Sequence, residues 1–165
     1  MASHPLSQAN TMPGNLLRRC HQISVAIFLR QCEEHNLTQL QYVTLAALEE
    51  LGPVDQITLG SHTALDRNTV AVVVKKLEER GLLTRQRSQA DLRSKQVSLT
   101  EEGRRLRRSA EPAVANAQEE LLFPLSENEK KTLCKLLQKL ATKNNHLSRV
   151  PIRKPVVGKS ISPGR

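Results

Sequence analysis

Apolar positions in the first part of the chain fall at helical spacing. Leu16, Cys20, Ile23 and Ile27 recur at intervals of four, three and four residues, the stripe of an amphipathic helix running to about Glu34. Leu37-Thr38-Gln39-Leu40-Gln41 then offers a capping box, with Thr38 as N-cap and Gln41 three residues on. Leu40, Val43, Ala47 and Leu51 form the expected stripe of a second helix, which Gly52-Pro53 stops. Asp55 caps a short third helix carrying Ile57 and Leu59, the chain turns near Thr63-Ala64-Leu65, and Asp66 caps a fourth.

The fourth segment conflicts with propensity. Thr69-Val70-Ala71-Val72-Val73-Val74 is almost wholly β-branched and by composition suits a strand. Helix is nevertheless predicted, because Asp66 is a good N-cap, Val70, Val73, Val74 and Leu77 share one helical face, and Lys75 to Arg80 are strong helix formers. Gly81 ends it as a C′ glycine. Leu82–Arg85 and Gln96–Leu99, joined by a polar stretch, predict a β-hairpin. Thr100 restarts a helix with the stripe Leu106, Ala110, Ala113, Ala117 and Leu121, in which Pro112 is expected to introduce a bend. A second capping box, Ser126 to Glu129, opens a last helix expected to bury Leu133, Leu136, Leu137 and Leu140. The prolines and glycines after Ser148 leave no periodicity, so 148–165 is expected to be a basic disordered tail. Residues 1–13 are expected to be a flexible N-terminus.

Charge is unevenly placed. Residues 1–74 carry a net −2, residues 75–108 a net +6, residues 109–147 none, and residues 148–165 a net +5, within a total of +9 over 165 residues. A positive block and a positive tail suit a polyanion, and duplex DNA above others. Aromatics amount to 2%, namely Phe28, Tyr42 and Phe123, which counts against a module that stacks bases on aromatic platforms. No apolar run approaches the ~20 residues that span a bilayer, and Met1–Asn15 lacks the charge and apolar core of a secretory signal, so no membrane partner and a cytoplasmic location are expected. Cys20, Cys32 and Cys134 are widely separated, so neither a metal nor any other cofactor is expected. On its stripe Cys20 reads as a small buried hydrophobe, with a redox-sensing thiol as the alternative. Glycine-rich phosphate loops and nucleophile or metal-ligand motifs are missing, so an enzyme is not expected.

Helices followed by a turn, a capped helix and a basic hairpin make a winged helix-turn-helix. The predicted fold class is mainly α with a small β-hairpin wing, a DNA-binding lobe over 37–100 and helical dimerisation regions over 14–36 and 101–147. Off the buried face of the fourth helix lie Asn68, Thr69, Ala71, Val72, Lys75 and Lys76. Asn can pair with adenine, methyl groups can touch thymine methyls, and Lys can meet phosphate or guanine. Arg85, Arg87 and Lys95 of the hairpin are candidates for phosphate contact, the alternative being a solvated strand face.

From Gly14 to Leu147 the chain resembles the MarR family of bacterial transcriptional regulators. The resemblance rests on Asp66-Arg67-Asn68-Thr69-Val70, Leu77 to Leu83, Asp91-Leu92-Arg93 and Val97 to Gly103, with Leu37-Thr38-x-x-Gln41 at the start of the second helix. Gly60 departs from the usual Leu-Ala and is expected to loosen the third helix. The resemblance implies a homodimer built from the first and last two helices and bound to a double-stranded, pseudo-palindromic operator. It also places Arg93 in the minor groove with Asp91 orienting it, an ion pair that stiffens the hairpin being the alternative. A small aromatic acid as effector is further implied. Its carboxylate needs a cation and a donor near a greasy cavity, for which Arg18, Arg19, His21 and Tyr42 are candidates, each with a plain interface or core role as the alternative. The competing readings are an architectural DNA-binding protein without an effector and a thiol sensor of the same fold using Cys20.

Overall fold

The computed structural model describes residues 5–87 and 95–152, apart from the side chains of Ser7 and Arg87. Its helices are α1 (Pro5–Thr11), α2 (Pro13–Gln31), α3 (Gln39–Leu51), α4 (Gln56–Thr63), α5 (Arg67–Glu79), α6 (Glu101–Leu122) and α7 (Glu127–Lys143). Strands β1 (Val54–Asp55), β2 (Leu83–Arg87) and β3 (Lys95–Leu99) form one antiparallel sheet in the order β1-β3-β2. In register, Leu83 faces Leu99, Arg85 faces Val97 and Val54 faces Val97 from the other side. The mainly α winged helix-turn-helix read from the sequence is present.

Local chemistry explains where the elements start and stop. Thr38 and Gln41 close both halves of the capping box of α3. Asp66 Oδ1 accepts from the backbone N–H groups of Asn68 and Thr69, which fixes the start of α5 despite its β-branched run. At its end the Gly81 N–H donates to Glu78 O and the Leu82 N–H to Leu77 O, the two bonds of a Schellman turn, with Gly81 at φ 71°. Thr100 caps α6 by accepting from the Gly103 N–H, while its own hydroxyl donates to Gly81 O. A Cβ on Gly103 would stand 2.3 Å from Leu82 O, so glycine is required where α6 leaves the sheet. Gly60 is likewise tight rather than loosening: a Cβ there would lie 2.7 Å from Leu65 O, because the turn after α4 folds back closely, with Ala64 in the left-handed region.

Two apolar clusters form the interior. The larger joins Leu45, Leu48, Leu59, Val70, Val74, Leu77, Leu83 and Val97 inside the winged-helix lobe, with Ala110 of α6. The smaller gathers Phe28 of α2 and Cys32, which caps its end, around Ala117 of α6. Tyr42 packs against both, its ring 6.3 Å from that of Phe28 at a tilted angle. Arg107 and Arg108 of α6 pair with Glu49 of α3, a second tie between α6 and the lobe.

Several expectations are corrected. Residues 5–11 form a helix where a flexible terminus was expected. The buried face of α3 is Gln41, Thr44, Leu45 and Leu48, whereas Leu40 and Val43 of the expected stripe are exposed. Thr44 can turn inward because its hydroxyl donates to Leu40 O at 2.7 Å. Ile57 of α4 is 75% exposed. The stripes of the outer helices are exposed as well: Leu16, Cys20 and Ile23 on α2, and Leu136, Leu137 and Leu140 on α7, where Leu133 is half-buried. Within one chain α2 packs against α6, and no described residue of α7 is buried. The tail is corrected in part, since residues 148–152 are folded into a turn and residues 153–165 lie outside the described residues.

Candidate nucleic-acid interface and adjoining groove

Helix α5 stands between two neighbours. On one side Glu78 meets Arg85 of β2, whose Nε donates to the carboxylate at 2.7 Å, and the guanidinium holds the Glu78 carboxyl below the usual range. Arg85 is therefore already engaged by a carboxylate, which the expectation of a phosphate contact did not include. On the other side Asn68, Thr69, Val72, Val73 and Lys76 line a groove of about 610 Å³ together with His21, Val25 and Leu29 of α2 and residues 38–41 at the start of α3. Between these flanks Asn68, Ala71, Val72 and Lys75 are exposed.

The N-terminal half of α5 is the end suited to DNA. It carries Arg67 and Asn68, whereas its C-terminal turn carries Glu78 and Glu79, the latter 3.8 Å from Lys75. The Thr69 hydroxyl donates to Asp66 Oδ2 at 2.7 Å, so Thr69 offers mainly its methyl group outward. Sequence reasoning missed Arg67: exposed and first in the helix, it shares a cleft with Lys95 of β3. Its position directly after the capping Asp66 was the available signal. Lys95 is exposed at the start of β3. Asp91 and Arg93 lie outside the described residues, as does the side chain of Arg87.

The four effector candidates separate. His21 lines the groove. Arg18 and Arg19 are exposed and do not line it, Arg18 being held by Asn15 and Gln22. Tyr42 is half-buried between the two clusters and also does not line it. The groove itself is mixed. Val25, Leu29, Leu40, Val72 and Val73 supply apolar wall, and His21, Gln39, Asn68, Thr69 and Lys76 supply polar groups. Gln39 Nε2 donates to Ser24 Oγ at 2.9 Å and ties the start of α3 to α2. Cys20, adjacent to His21, is exposed rather than buried. Among the described residues no cluster of His, Cys, Asp or Glu could hold a metal ion, and no helix is long and apolar enough to cross a membrane.

Known proteins share this arrangement. The MarR family profile matches residues 37–95, which span α3 through the start of β3. The HTH-type transcriptional repressor NicR of Pseudomonas putida is 35% identical over 127 residues, covering 77% of this chain and 80% of NicR. The solved structure of BpsR of Bordetella bronchiseptica, described for regulation of its DNA binding by 6-hydroxynicotinic acid, is 31% identical with a TM-score of 0.77, covering 86% of this chain and 98% of that one. PcaV of Streptomyces coelicolor, solved with its natural ligand, is 34% identical with a TM-score of 0.76 over 86% of this chain and 98% of its own. On fold, spacing and identity, this chain belongs to the MarR family.

Proposed function

We propose that the protein is a homodimeric transcriptional repressor that leaves a double-stranded, pseudo-palindromic operator when a small aromatic acid binds. One observation carries the reading: the groove between α2 and α5 is lined partly by α5, the helix whose N-terminal half is suited to the major groove. A ligand there touches the reading helix on one side and the outer helix α2 on the other. It therefore acts on the angle between lobe and dimer rather than on a remote element. His21 and Lys76 supply cationic or donor groups for a carboxylate, and the valine and leucine wall takes an aromatic ring. BpsR, which responds to 6-hydroxynicotinic acid, supports that ligand class.

Dimerisation follows from the exposed leucine faces of α2 and α7. The DNA-reading residues are Asn68, Ala71, Val72 and Lys75, with Arg67 and Lys95 on the backbone. Arg93 of the wing enters the minor groove with Asp91 beside it. Half-sites lie about one helical turn, ~10 bp, apart.

The test is fluorescence anisotropy on a duplex selected by the protein itself from a random pool, titrated with aromatic carboxylates including 6-hydroxynicotinic acid. Release by at least one such acid, weakened in His21→Ala with DNA binding intact, is the expected result. Binding that stays the same on every duplex and ignores every acid would leave the architectural reading in its place.

A further inference from the structure

Most polar side chains of the groove between α2 and α5 are already committed. Thr38 and Gln41 bond to each other's backbone in the capping box of α3. Gln39 donates to Ser24, and the Thr69 hydroxyl donates to Asp66. His21, Asn68 and Lys76 remain, exposed and without a side-chain hydrogen bond or ion pair to any described residue. Two of these three belong to α5. With Val72 they stand at positions i, i+4 and i+8, which is one edge of the helix, about 12 Å from first to last along its axis. That edge has a polar end at Asn68, an apolar middle at Val72 and a cation at Lys76. A ring bearing a carboxylate and a second polar group fits this order. Lys76 attracts the carboxylate, Val72 takes the ring, and the Asn68 carboxamide both donates and accepts. The same edge carries two of the residues assigned to base reading, Asn68 and Val72, whereas Ala71 and Lys75 do not line the groove.

We propose that Asn68 is a shared side chain, claimed either by the effector in the groove or by a base edge of the operator, but not by both. Adenine is read through two bonds at once, with the Asn carboxamide donating to N7 and accepting from the N6 amino group. An aromatic acid whose second polar group engages either end of that carboxamide turns it toward the groove and breaks the pair. Its ring over Val72 covers the methyl groups that would meet thymine. Operator release then has a component that needs no change of angle between lobe and dimer. The acid removes base contacts directly, while Arg67 and Lys95, which do not line the groove, keep their phosphate contacts. Acid therefore lowers affinity for the operator more than for an unrelated duplex. This regulation belongs to the groove already read as the effector site and rests on that reading.

Asn68 is exposed, so Asn68→Ala leaves the core intact. Calorimetry on the DNA-free protein compares 6-hydroxynicotinic acid with benzoic acid, which lacks the second polar group. Asn68→Ala is expected to weaken 6-hydroxynicotinic acid about two- to tenfold, the effect of one net hydrogen bond, and benzoic acid less than about twofold. Lys75→Ala alters a reading residue outside the groove and should leave both acid affinities at the wild-type level. On the duplex selected from the random pool, the factor by which 6-hydroxynicotinic acid lowers affinity should shrink about threefold or more in Asn68→Ala and persist in Lys75→Ala. Asn68→Gln keeps the carboxamide and should recover part of it. Equal affinity for 6-hydroxynicotinic acid in the wild type and Asn68→Ala would overturn the shared role, as would equal release factors. So would an acid that loosens an unrelated duplex as much as the operator. All three results leave the repressor reading standing. A wild type that does not bind 6-hydroxynicotinic acid, or binds it without leaving the operator, would also overturn the shared role; if no aromatic carboxylate releases the operator, the repressor reading falls with it.

Discussion

Asp55 and Asp66 start consecutive helices with the same geometry. Asp55 Oδ1 accepts from the Ile57 and Thr58 N–H groups at 2.8 and 2.9 Å, and Oδ2 accepts from the Thr58 hydroxyl at 2.7 Å. Burial pushes the Asp55 carboxyl up, but the hydrogen bonds from Thr58 and Ile57 outweigh it and leave it below the usual range. For Asp66 the Thr69 bonds act in the same direction, and Glu78, Glu120 and Glu129 are lowered as well. A carboxyl lowered on folding adds stability that is fully present above its unfolded value, about 4, and is lost as pH falls through the folded one. Unfolding midpoints in urea are therefore expected to hold from pH 7 to about pH 5 and then to fall. Asn caps a helix about as well as Asp. Asp55→Asn should then change the neutral midpoint little and make the acid fall shallower; an unchanged acid limb would show that Asp55 gains nothing from its bonds.

At the scale of elements, what could be read from the sequence depended on how local the determining interaction was. Caps, the Gly81 stop and the Val70–Leu77 face are set within one or two helical turns, and each was legible. Strand β1 was not, because two residues, Val54 and Asp55, become a strand only through Val97 and Gln96, over 40 positions away. The face of α3 was misplaced because a threonine, usually outward, satisfies its hydroxyl on its own helix and turns in. Of the site, the exposed side of α5 was legible. The groove was not, since it exists only where α2, α3 and α5 meet, and so His21 could not be separated from Arg18, Arg19 and Tyr42 beforehand. The exposed leucines of α7 keep the expected spacing but are not covered by any of the described residues. A charge placed there tests that reading: Leu137→Asp should leave helix content unchanged and halve the mass in sedimentation at micromolar concentration. A variant that sediments like the wild type would remove α7 from the interface.

In the whole molecule, lobe and outer helices are joined through Ala110 of α6 in the lobe's cluster, through Arg80, which donates to Asn36 O and His35 O just after α2, and at further places among the described residues. Tyr42 packs between the two clusters, Glu49 pairs with Arg107 and Arg108, and Gln39 reaches Ser24 across the mouth of the groove. These joints and α5 itself are the routes by which a ligand in the groove can be coupled to DNA on α5. Coupling free energy is reciprocal: whatever factor the acid takes from operator affinity, the operator takes from acid affinity. A release large enough to matter, about 5–150-fold, corresponds to roughly 1–3 kcal/mol. The acid's dissociation constant, measured by calorimetry on free protein and on protein saturated with its operator duplex, is expected to differ by the same factor as the operator's constant measured with and without acid. Gln39→Ala frees α3 from Ser24 while keeping His21 and Lys76 in place. It should reduce that factor in both directions, separately from any change in acid affinity for the free protein that follows from Gln39 also lining the groove. If the two factors disagree, more than one acid is binding per groove or the acid also binds elsewhere. If they agree and Gln39→Ala leaves both untouched, the signal bypasses the contact between Gln39 and Ser24 and runs through α5 or the remaining joints.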